Sequence, residues 1–188
     1  GHWRGLADSR FSGLEDSFAV SVGIDGVSVP GVISANQKLT KDSGSTITAL
    51  CRVALAVSDG RTIWFSYTDG KIWERATDGT YTLVFTTTAG AGGVGCLGAH
   101  EFNGRVYWAT ESRLHYMPVA NLGSAANWTA NAVLNTATFT KTDASFHPMV
   151  EQNTSLFIGD GNQIAKVTSA FAFTAAALDI KTPHRIKT

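Results

Sequence analysis

The sequence predicts an all-β protein of repeated four-stranded antiparallel meanders, and three observations carry that prediction. First, a strand–turn–strand unit recurs three times. Residues 59–73 (DGRTIWFSYTDGKIW), 103–116 (NGRVYWATESRLHY) and 152–167 (QNTSLFIGDGNQIAKV) each run polar turn, apolar β-rich stretch, second polar turn, short apolar stretch. Second, the units keep register. Trp64, Trp108 and Ile158 lie 44 and 50 residues apart, and Ile72, Leu114 and Ile164 lie 42 and 50 apart. Third, the middle strands are continuous apolar runs: Ile63-Trp64-Phe65, Val106-Tyr107-Trp108 and Leu156-Phe157-Ile158. A strand covered on one face alternates, whereas one covered on both does not. A period of roughly 40–50 residues with this content is the sign of β-propeller blades packed face to face.

The elements follow in order. Residues 1–46 form an N-terminal irregular and strand region. Ser12-Gly13-Leu14-Glu15 fits a capping box. Phe18 to Ile24 alternates Phe18, Val20, Val22 and Ile24 against small residues, which is a half-buried strand. Pro30 confines Val27 to Ile33 to a sheet edge, and residues 41–45 are a turn. Residues 47–188 hold the propeller-like repeats, with blades at about 47–92, 93–142 and 143–183. The first blade comprises strands at about 47–57, 61–68, 71–76 and 81–88, with Asp69-Gly70 and Asp78-Gly79 as tight turns. The second comprises 95–102, 105–110, 113–119 and an outer strand within 131–140. The segment 121–131 breaks the pattern and reads as a loop with a short helical turn. The third comprises 145–152, 155–159, 163–168 and 176–182, turning at Gly159-Asp160-Gly161-Asn162 and closed by Pro183. About three blades do not close a ring of 4–8. The array is therefore part of a larger polypeptide, or is completed by the N-terminal strands and partner chains, or else the repeat is a set of strand pairs in an ordinary β domain. The chain opens on Gly1, not Met, as a processed or partial chain does.

Composition narrows function by exclusion. Fifteen basic residues balance fifteen acidic ones, so the chain lacks the basic surface that nucleic-acid binding requires. No run of 18 apolar residues exists to span a membrane. Charged residues make up only 16%, below the usual quarter. That low charge, with abundant Thr, Ser, Ala, Gly and Asn, points to a virion or extracellular setting. Cys51 and Cys96 lie one repeat apart. Equivalent positions of adjacent blades are usually farther apart than the roughly 7 Å a disulfide allows, so two buried free thiols are expected.

Each candidate chemical motif has a plainer explanation. Gly90-Ala91-Gly92-Gly93-Val94-Gly95 matches the dinucleotide fingerprint by letter, but no helical period follows it. It reads as an inter-blade loop. Residues 66–73 resemble the aspartate-box hairpin of sialidase-type propellers, with Ser and Asp one residue too far apart, and even a true box is a structural turn. Arg61 and Arg105 open equivalent strands as turn-flanking solvated residues. His2, His100, His115, His147 and His184 show no metal-ligand spacing. Asp160 and Asn162 fit a tight turn better than a calcium site of six to eight oxygens. Paired carboxylates for glycoside cleavage would have to come from Glu74, Glu101, Glu111 and Glu151. Trp64 and Trp108 belong to the core. Trp73 and Trp128 are the candidates for exposed ligand or interface contacts.

Residues 30–39, 70–73, 107–110 and 156–160 resemble β-propeller-type structural proteins of tailed phages and environmental viruses, over about 20–183. The resemblance implies a virion or tail-associated role with no catalytic residue. The expectation is therefore a non-enzymatic structural subunit of a virion, tail or other extracellular assembly. It would have no cofactor or metal, and would partner copies of itself or neighbouring structural proteins. The alternative is a carbohydrate-binding module recognising a host or cell surface.

Overall fold

The computed structural model describes residues 24–25, 34–35, 47–93, 95–140 and 146–179. Two short strands, β1 (Ile24–Asp25) and β2 (Ser34–Ala35), pair antiparallel in a unit separate from residues 45 onward. The rest of the expected strand from Phe18, the Pro30 segment, the capping box and the 41–45 turn lie outside the described residues.

Among the described residues, the second unit contains three four-stranded antiparallel meanders in strict chain order. Blade one is β3 (Cys51–Ala56), β4 (Thr62–Ser66), β5 (Lys71–Arg75) and β6 (Tyr81–Thr86). Blade two is β7 (Gly98–Phe102), β8 (Arg105–Ala109), β9 (Arg113–Pro118) and β10 (Val133–Thr138). Blade three is β11 (Met149–Gln152), β12 (Ser155–Asp160), β13 (Gln163–Thr168) and β14 (Phe173–Asp179). Among the first strands of the blades, β7 lies against both β3 and β11, and this row forms the inner edge. The all-β, blade-like architecture read from the repeat is the one observed.

The turns repeat as the strands do. Asn103 and Gly104 both have positive φ, 48° and 74°, and Asn153 and Thr154 do the same at the equivalent turn, 49° and 59°. Positive φ at both central residues marks the hairpin turn whose twist matches its strands.

The middle strands of blade two bury both faces. On β8, Val106 and Trp108 enter a core shared with Ile63, Phe65 and Ile72 of blade one. Tyr107 and Ala109 enter a second core shared with Leu156 and Ile158 of blade three. That double coverage is the physical reason the run Val106-Tyr107-Trp108 does not alternate.

Several elements differ from expectation. The first strands β3, β7 and β11 begin at Cys51, Gly98 and Met149, later than the expected 47, 95 and 145. The break at 121–131 contains a full helix, α1 (Ala125–Asn131), capped by the Ser124 hydroxyl accepting from the Asn127 amide and anchored by Trp128, which enters the first core. The outer strand of blade three begins at Phe173, not 176. The chain reverses directly after β13, where the Phe171 amide donates to the Thr168 carbonyl and the Thr168 amide to the Ala172 carbonyl.

Candidate functional site

The inner edge is where a propeller exposes side chains that the inter-blade cores do not consume, and the titratable residues there define the candidate site. Arg52 on β3 is exposed, with its guanidinium 3.7 Å from the centroid of the Tyr67 ring. His100 and Glu101 on β7 are half-buried, and Glu151 and Gln152 on β11 are exposed. The Glu101 carboxylate accepts from both the Ser58 amide, at 2.7 Å, and the Ser58 hydroxyl. This fixes it against the first turn of blade one.

Strand alternation decides which way the others face. Phe102 enters the second core and Met149 packs against it. His100 shares the face of Phe102, and Glu151 shares the face of Met149. An imidazole and a carboxylate therefore border the same seam from the neighbouring strands β7 and β11. These are the two groups most suited to proton transfer near neutral pH.

The other two described histidines, His115 and His147, are structural; His2 and His184 lie outside the described residues. The Nδ1 of His115 accepts from the Asn135 amide at 2.9 Å, so its Nε2 carries the proton and faces the Thr110 hydroxyl at 3.2 Å. Thr110 in turn donates to the Ala91 carbonyl at 2.8 Å. Burial, with the Arg113 charge nearby, pushes the His115 imidazole down to about 4. His147 is fully buried and stacks on Phe139 at 4.3 Å. Its ring nitrogens face the Gly159 carbonyl at 2.8 Å and the Glu111 carbonyl at 3.2 Å, joining blades two and three.

The remaining candidates from the sequence fall as follows. Trp73 and Trp128 are buried, at 3% and 0% exposure, so the expectation of exposed contacts is corrected. Trp73 sits in a cross-strand row between Trp64 and Leu83. Trp128 seals the first core, where its indole N–H donates to the buried Glu74 carboxylate. Glu74 also accepts from the Gly123 amide at 3.1 Å and lies 3.7 Å from the Arg61 guanidinium, so it is a structural anion. Arg105 is held between the rings of Tyr116 and Phe171.

Neither Cys51 nor Cys96 is in a disulfide. Cys51 is half-buried rather than buried as expected. Burial pushes the Cys96 thiol up to about 12, which removes it as a nucleophile.

The Gly90–Gly95 loop leads into a strand, and its Ala91 and Gly92 carbonyls bind Thr110 and Ser112 of the next blade. In the aspartate-box-like turn the Ser66 hydroxyl accepts from the Thr68 and Asp69 amides, both at 3.3 Å. Among the described residues no three His, Cys, Asp or Glu side chains gather as metal ligands would. Sequence reasoning passed over Arg52 and His100 as site residues. The signal that finds them is position: the first strand of each repeat is the innermost.

No protein-family model matches the chain, and a search of curated proteins finds no match. Solved structures do match. A virginiamycin B lyase from Staphylococcus aureus aligns with TM-score 0.51 and 14% identity over 81% of this chain and 47% of its own. A streptogramin B lyase aligns at 0.39 and 16% over 81% and 60%, and a catalytically inactive virginiamycin B lyase with quinupristin at 0.36 and 14% over 84% and 62%.

The fold is propeller-like.

The chain spans about half the length of the first of these proteins. The protein matched is a lyase, which runs against the expectation of a non-enzymatic structural subunit; at 14% identity the likeness itself shows the fold alone. The resemblance to phage and viral proteins narrows to the propeller fold itself.

Proposed function

We propose that this chain supplies three blades of a catalytic, lyase-type propeller, with chemistry at its inner edge. The observation that carries the reading is the placement of His100 and Glu151 on adjacent inner strands facing one seam, with Arg52 and Glu101 on the same edge. A lyase breaks a bond without water. One group removes a proton from the substrate, the freed electron pair forms a new double bond as the bond to the leaving group breaks, and another group protonates that leaving group; these are roles for an imidazole and a carboxylic acid. Arg52 would hold an anionic or carbonyl oxygen of the substrate, and Glu101, tied to Ser58, would keep β7 in place against blade one. Virginiamycin B, after which the aligned lyase is named, is the first substrate to test.

The test is turnover of virginiamycin B by the purified chain, followed by liquid chromatography and mass spectrometry. The expected result is turnover by the wild type and a loss of about 100-fold in His100→Ala or Glu151→Gln, the usual size of a proton-transfer contribution, with melting temperatures unchanged. Equal rates in wild type and both variants would remove these residues from the chemistry.

A further inference from the structure

The inner strands are not the only surface left uncovered, because the array also has two unfinished ends whose chemistry is informative. Blade two covers blade one with a cross-strand pair, Ala99 opposite Trp108, placed over Ile63, Phe65 and Ile72. Blade one carries the same pair, Ala54 opposite Trp64, on the face pointing away from blade two. There Ala54 is exposed, Trp64 half-buried and Leu83 44% exposed, while Trp73 in the same row is buried.

At the other end the pattern is mirrored. Ile63, Phe65 and Ile72 in blade one, and Tyr107, Ala109 and Leu114 in blade two, point forward and are fully buried by the next blade. The equivalents in blade three, Phe157, Gly159 and Ile164, are only half-buried, and Val150 and Leu178 on that face are 58% and 55% exposed. The trailing face of blade one thus repeats the covering surface, and the leading face of blade three repeats the covered one.

We propose that a second copy of this chain closes the ring, with blade one of each copy seated on blade three of the other. The two contacts continue the seam that already joins blades one and two. A head-to-tail contact closes when its rotation permits, and two copies give six blades, inside the range of 4–8. This inference does not rest on the catalytic reading: a dimer without turnover leaves it standing.

The test is solution mass by light scattering, on the wild type and on two variants at exposed positions that the fold does not need, Leu83→Lys and Val150→Lys. The wild type is expected as a dimer of about 40 kDa, twice the 19.9 kDa chain. Each variant is expected to melt like the wild type and to dimerise at least about tenfold more weakly, a cost of about 1.4 kcal/mol. A mixture of the two is expected to pair better than either alone, because one of its two contacts is unaltered. A wild-type monomer at high micromolar concentration, an open-ended polymer, or a dimer indifferent to both variants would each overturn the proposal. The monomer would assign both faces to further blades of a longer polypeptide.

Discussion

The two seams of this array are built from equivalent positions and filled by different means. Between blades one and two the space is aromatic: Trp108 meets Phe65, Phe85 and Trp128 at centroid distances of 6.3, 6.5 and 5.7 Å. Helix α1 delivers Trp128, and the buried Glu74 carboxylate takes its N–H. Between blades two and three, Ile158, Ala165 and Val167 stand where the first seam has Trp108, His115 and Met117. The lost volume is made up by Phe139 and His147, stacked on each other, with the His147 ring reaching a carbonyl of each blade. One backbone repeat therefore tolerates two packings, provided that total volume and the buried polar atoms are accounted for.

The largest effect should come from the aromatic seam. Trp108→Ala removes the side chain common to all three of those ring contacts, and we expect a loss of about 3–5 kcal/mol, the usual cost of truncating a buried aromatic. Ile158→Ala at the equivalent position of the other seam removes fewer atoms and should cost about 1 kcal/mol less. Urea unfolding of both variants checks this. Equal losses would mean that the seams do not differ energetically.

Much of this difference was hidden in the sequence, for identifiable reasons. The blades were legible because Trp64, Trp108 and Ile158, and Ile72, Leu114 and Ile164, recur in register and the backbone repeats with them. The inner edge was not, because the pattern of β7 (GAHEF) says that residues alternate but not which neighbour each side meets. Trp128 was misplaced for a related reason. In AANWTAN it stands alone among small and polar residues, as an exposed aromatic would. Only Glu74, 54 residues away, supplies the buried acceptor that its N–H requires. The pairing of His147 with two backbone carbonyls leaves no trace in residue identity.

The next effect is a response to acid. His115 packs at a tilt against Trp108, 5.2 Å between ring centroids, and is held neutral, accepting from the Asn135 amide. Its imidazole is pushed down to about 4 by burial, against about 6.5 in an unfolded chain. A histidine with a lowered folded value binds its proton more readily when unfolded. Its stabilisation is complete above about pH 6.5 and is lost as pH falls towards 4, amounting to about 3 kcal/mol. The melting temperature should therefore fall across that window, and His115→Gln, which cannot take the proton, should flatten the fall. An unchanged slope in the variant would place the acid sensitivity elsewhere, and would remove the idea that the first seam depends on a neutral ring.

The smallest expected effect separates the seams at their backbones. Two glycines let each blade's lead-in pass against its neighbour: a Cβ on Gly95 would lie 2.1 Å from the Tyr67 carbonyl oxygen, and one on Gly98 would lie 1.9 Å from that of His147. Both contacts are with backbone, which cannot swing aside as a flexible side chain can. Either alanine substitution should cost about 1–3 kcal/mol through forced displacement. The consequences should diverge. Gly95→Ala pushes on a turn-adjacent strand end and should leave the aromatic core intact. Gly98→Ala displaces His147 itself, so it should also disturb the ring's contacts with the Glu111 and Gly159 carbonyls and speed amide exchange at the start of β11. Hydrogen exchange on both variants reads this directly. Equal protection at Met149 and Val150 in the two would show that the histidine contributes packing volume to its seam but does not tie the blades together.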